Sequence, residues 1–126
     1  MDPFKIEQAV RELREKFPFL TVDGLQSDRY ERTSKPFQSV LVDAVHNRKQ
    51  VDHCLAWLKQ CSRTKGFNRQ HDTYRFKHEV ERHIGEWVSH SSMLIAAQIA
   101  GLEMRHANDR PWAAELKLGA KRPGQW

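Results

Sequence analysis

Apolar residues in this chain recur at three- and four-residue spacing from Ile6 to about Ala97, and only after Gly101 does the spacing change to two. The first rhythm lines one face of a helix, and the second lines one face of a strand. A chain that keeps the helical rhythm for most of its length is committed to a mainly α fold, here closed by a C-terminal two-stranded β-hairpin. Its 126 residues fit one small domain. With 39% hydrophobic and 29% charged residues, it suits a modest core and not a disordered chain.

Local signals divide the chain further. Asp2 and Pro3 form a helix start, an N-cap acid followed by proline in the first turn. Ile6, Val10, Leu13 and Phe17 follow on one face, and Pro18 stops the helix, giving an N-terminal helix over 1–17. Residues 18–35 read as an irregular connection with a turn at Val22-Asp23-Gly24. Ser34 is placed to cap a helical segment over 34–61 that opens with Pro36. Phe37, Leu41 and Ala44, then Val51, Leu55 and Leu58, keep the stripe, which breaks at Arg48. We read two helices divided near Asn47, with one uninterrupted helix as the alternative. Trp57 lies beside the stripe and is expected to be half-buried.

Residues 62–72 lose the rhythm and form a basic loop. Asp72 or Thr73 then caps a helix whose buried stripe is read as Phe76, Val80, Ile84 and Trp87, with Lys77, Glu81 and Arg82 elsewhere. Ser89 to Ser92 offer caps for a short apolar helix that ends at Gly101, so 73–101 is a helix, turn and helix. Leu102, Met104 and His106, then Trp112, Ala114, Leu116 and Leu118, alternate as two strands of a hairpin over 102–118. Asp109 falls in its connection, and Glu115 and Lys117 fall on its solvent face. Residues 119–126 form a basic tail. Thr73 to Leu118 thus follow the order of a winged helix-turn-helix. The second helix, with Met93 to Ala97 all apolar, belongs in a core and is unsuited to reading base edges.

Cys54 and Cys61 lie seven apart in a helical segment, ~10 Å along its axis, too far to form a disulfide. No apolar run approaches the ~20 residues of a membrane span, and no signal-peptide pattern follows Asp2. A cytoplasmic protein is therefore expected. The net charge of +5 is concentrated, because Lys59, Arg63, Lys65, Arg69, Arg75 and Lys77 face a single acid, Asp72, between residues 59 and 77. These cations can neutralise phosphates, Phe67 and Tyr74 can stack on bases, and Asn68 adds a donor. Solvated surface is the plain alternative.

The run Tyr74, Lys77-His78 and Glu81, then Gly85, Trp87-Val88-Ser89 and Ile95-Ala96-Ala97, resembles a family of uncharacterised bacterial proteins carried on plasmids and other mobile elements. The likeness spans Arg63 to Leu102. At His90-Ser91-Ser92 the chain departs from the asparagine-glycine that follows the turn in that family. The resemblance implies a mobile-element origin and brings no activity, cofactor or site chemistry with it.

Function classes narrow accordingly. His78-Glu79 lacks the second histidine at i+4 that a zinc-protease helix needs, and His53-Cys54 with Cys61 lacks a second close ligand pair, so no metal or cofactor is expected. Asp109 with Glu115 and Lys117 matches the loose acid, acid-x-lysine order of metal-dependent nucleases, a short pattern that a hairpin's solvent face also produces. The expected function is a small basic nucleic-acid-binding accessory or regulatory protein of a mobile element, without enzymatic activity. A protein-binding inhibitor of a host system is the alternative, because four tryptophans in a small chain suit an interface.

Overall fold

A computed structural model describes residues 1–25 and 36–119, with the side chains of 36–38 left aside. Five helices precede a two-stranded antiparallel hairpin: α1 (Pro3–Lys16), α2 (Pro36–His46), α3 (Arg48–Gln60), α4 (Thr73–Ile84), α5 (His90–Ile99), β1 (Met104–His106) and β2 (Ala114–Leu116). The expected caps at Ser34, the side chain of Phe37 and the tail beyond residue 119 lie outside the described residues. Among those described, no helix is long and apolar enough to cross a membrane.

The fold is organised around α5, which packs against all four other helices. Its residues His90 to Ala97 are all buried. A helix apolar on every side has no face to offer water, and the other helices each turn one apolar stripe toward it. Its ends are closed locally. Ser89 accepts from the Ser92 N–H at the start. At the finish Gly101 takes a left-handed φ of 75°, so that its N–H reaches Gln98 O and the Leu102 N–H reaches Ala97 O.

The division between α2 and α3 falls at Asn47, as the break in the stripe suggested. Asn47 does not cap α3 with its side chain. Its Nδ2 turns back to Asp43, 3.2 Å from the carbonyl and 3.1 Å from Oδ1. Trp57 is buried at 3% exposure, deeper than its place beside the stripe suggested. Cys54 and Cys61 are both free and buried, and burial pushes the Cys54 thiol up to about 12.

Two expectations about helix and strand faces are corrected. Helix α4 ends at Ile84, where Gly85 adopts φ 74° as its left-handed cap. Trp87 therefore lies beyond the helix and is 60% exposed, while Lys77, assigned to the outer face, is buried. The second correction concerns the hairpin, whose strands pair Met104 with Leu116, Arg105 with Glu115 and His106 with Ala114. Strand β2 is buried along its whole length, Glu115 included. Residues 62–72 lie along its other side, with bridges from Arg63 to Leu118 and from Asp72 to Glu115. Thr64 N–H donates to Lys117 O and Asn68 N–H to Leu116 O. A strand flanked on both edges and covered by packing loses the solvent face that a period-two reading assumes.

Candidate nucleic-acid interface

The basic segment is presented from a fixed surface. Besides the backbone bonds to β2, Asn68 Nδ2 donates to Leu118 O at 3.0 Å, and Asn68 Oδ1 accepts from the N–H groups of Gln70 and His71. Asn68 is thus occupied in holding the loop. Lys59, Arg63, Lys65 and Arg69 are exposed, and Arg63 donates to Ala100 O at the end of α5 at 2.9 Å. Phe67 is half-buried, with the Arg105 guanidinium 4.3 Å and the Lys117 ammonium 5.0 Å from its ring centre.

Lys77 is buried, apart from the exposed cations. Its Nζ donates to Glu81 Oε2 at 2.8 Å, with both side chains largely out of solvent. Glu81 also accepts from His78 Nδ1 at 2.8 Å and from the Val88 N–H at 2.9 Å. Burial pushes the Glu81 carboxyl up, but hydrogen bonds from Lys77, Val88 and His78, with the Lys77 charge, outweigh it and hold the carboxyl below its ordinary range. Lys77, His78, Glu81 and Val88 thus form one network that ties α4 to the turn after Gly85. Beside it, buried His90 has its Nδ1 3.2 Å from Asp23 O and its Nε2 2.7 Å from Thr73 Oγ1, and Thr73 Oγ1 accepts from the Ala114 N–H. The chain of bonds fits a neutral imidazole that donates to Asp23 and accepts from Thr73. Burial is the main cause that lowers the His90 pKa to about 4.

Outside this network the surface is concave. A cleft of about 720 Å³ is lined by Tyr74, Arg75, His78, Arg82, Trp87 and Arg110, with Glu79, Glu81 and Glu86 also on its walls. A second hollow of about 460 Å³ is lined by Arg69, Gln70, His71, Arg75, Asn108 and Arg110, with Asp72, Asp109 and Glu115. Arg75 and Arg110 line both, so the two hollows adjoin and together form a groove beside α4. Arg75 and Arg82 share one face of α4 because they are two helical turns apart.

Several of the acids in the groove already have basic side chains beside them. Glu81 holds Lys77, Glu115 holds Arg105 at 2.8 Å, Asp72 lies 3.8 Å from Arg110, and Glu79 lies 3.8 Å from His71. Glu86 and Asp109 are exposed. The arrangement also bears on the nuclease pattern, since Glu115 is buried against Arg105 and Lys117 is bonded to Glu103 at 2.7 Å. Among the described residues, no group of three or more His, Cys, Asp or Glu side chains is placed to hold a metal ion.

Of the residues expected from sequence, Arg69, Tyr74 and Arg75 line the groove, and Lys59, Arg63, Lys65 and Phe67 do not line it. Arg82 was legible as the helical neighbour of Arg75. Arg110 and Trp87 were not, because only the packing of the hairpin connection and the turn against α4 brings them there. No protein-family model, curated protein or solved structure matches the chain.

Proposed function

We propose that this protein binds single-stranded nucleic acid along the groove over α4, as an accessory or regulatory protein of a bacterial mobile element. The observation that carries this reading is the set of four arginines that lines the two adjoining hollows. Arg69 lines one hollow, Arg82 and the exposed indole of Trp87 line the other, and Arg75 and Arg110 line both. Guanidinium groups suit phosphates, and an open aromatic ring suits a base that no longer has a stacked neighbour. Buried α5 cannot enter a duplex groove, which argues for this surface over a winged-helix mode.

The test is a salt titration of binding to single-stranded DNA, single-stranded RNA and duplex DNA. Single strands should bind more tightly than duplex, with a log–log salt slope of roughly 3 if the four arginines each meet a phosphate. Arg75→Ala should reduce the slope by about one unit. Absence of binding to all three ligands at low salt overturns the reading.

A second reading rests on the exposure of Trp87 at 60% and Trp112 at 37%, since tryptophans of this kind anchor protein interfaces. A host protein captured in place of nucleic acid, and released by Trp87→Ala, would favour it.

A further inference from the structure

Beside the groove lies a further hollow of about 370 Å³, lined by Asp23, Tyr74, Lys77, Trp87, His90 and Trp112. Its composition is unlike that of the groove. Three aromatic side chains wall it, and Tyr74 and Trp112 meet edge to face, with ring centres 6.4 Å apart at 84°. The Lys77 ammonium sits 5.7 Å from the Tyr74 ring centre and 5.9 Å from that of Trp87. Tyr74 and Trp87 line both this hollow and the groove, so the two adjoin.

We infer that this cavity receives one unstacked nucleobase from a strand held in the groove, with a keto oxygen of the base turned toward Lys77. The inference rests on the groove reading and specifies what that site recognises. Aromatic walls replace the stacking that a base loses when it leaves its neighbours, and a volume in the range of small-ligand sites admits a planar ring. Lys77 has three N–H donors and uses one on Glu81. A charge-assisted bond from another favours a carbonyl oxygen, which guanine and thymine present beside a ring N–H and adenine lacks. Asp23, exposed at its place on the lining, brings acceptor oxygens to the same cavity. The His90 ring is already bonded at both nitrogens and acts as wall.

The experiment uses the full chain and short deoxyribose-phosphate strands that are abasic except for one base: guanine, thymine, adenine or none. Binding is followed by quenching of tryptophan fluorescence and by anisotropy of a labelled strand. A strand with one guanine or thymine should bind about tenfold or more tightly than the bare backbone, and adenine should give a smaller gain. Trp112→Ala should abolish the gain. Equal affinity for all four strands overturns the inference while the groove reading stands. Failure of every strand to bind, together with failure of ordinary single-stranded DNA and RNA, removes the groove reading and the inference with it. Lys77→Met, checked for folding by circular dichroism, should erase the preference for guanine and thymine over adenine. If that variant does not fold, the order of the strands on the parent protein decides: no preference over adenine removes the assigned role of Lys77.

Discussion

Gly24 shows how a single residue can be dictated by its neighbours. It has φ 140°, and a Cβ there would stand 2.3 Å from Trp112 O and 3.1 Å from His90 Nδ1. The next residue, Leu25, donates its N–H to that same Trp112 carbonyl. Gly24→Ala is expected to destabilise the fold by about 2 kcal/mol or more, read as a lowered denaturation midpoint. His90 is the complementary case, a titratable group kept neutral by burial. Its folded-state pKa of about 4 lies below the ordinary 6.5, so between these values the unfolded chain binds the extra proton. Stability is therefore fully present above pH 6.5 and falls as pH drops toward 4, by on the order of 3 kcal/mol. Glu81, whose carboxyl is held below 4.5, adds a loss at lower pH still. Denaturant melts of the parent and of His90→Gln across this range check the argument, since the variant's curve should be flatter between pH 6.5 and 4.

At the scale of elements, two tryptophans that the sequence placed in or beside helical stripes divide sharply. Trp57 is buried within α3, and Trp87 stands exposed in the turn after α4. Trp57→Ala should cost ~3–5 kcal/mol, whereas Trp87→Ala should change stability by less than ~0.5 kcal/mol. Paired thermal melts measure both, and a large loss for Trp87→Ala would mean that its ring packs inward after all. The helical rhythm of α4 was read correctly at Phe76 and Val80. It failed at Trp87 because the αL glycine at 85 ends the helix, and spacing has no meaning beyond a helix end. Lys77 was misplaced for a different reason. Periodicity ranks positions by polarity and does not foresee that Glu81, one turn on, makes burial of an ammonium tolerable.

Across the whole molecule, the loop at 62–72 and the hairpin behave as one unit, joined by backbone bonds and by Asn68. Asn68→Ala leaves Leu118 O and the two loop N–H groups without this partner, and should cost ~1–3 kcal/mol. Hydrogen exchange should quicken at Thr64, Gln70 and His71 before it does in α5, and uniform protection in the variant would contradict the coupling. What the sequence determined by itself is the count and order of the elements. The helical stripes, the caps at Asp2, Asp72 and Ser89, the division at Asn47 and the stop at Gly101 all depend on residues near one another in the chain. The candidate site was only half visible in that way, as Arg69, Tyr74 and Arg75. Tertiary structure decided the rest: the burial of Lys77 beside Glu81, the cover over β2 that buries Glu115, and the arrival of Arg110, Trp87 and Trp112 around α4. Local propensity acts through bonds between near neighbours, whereas a groove is made of surfaces whose meeting depends on how every helix packs against α5.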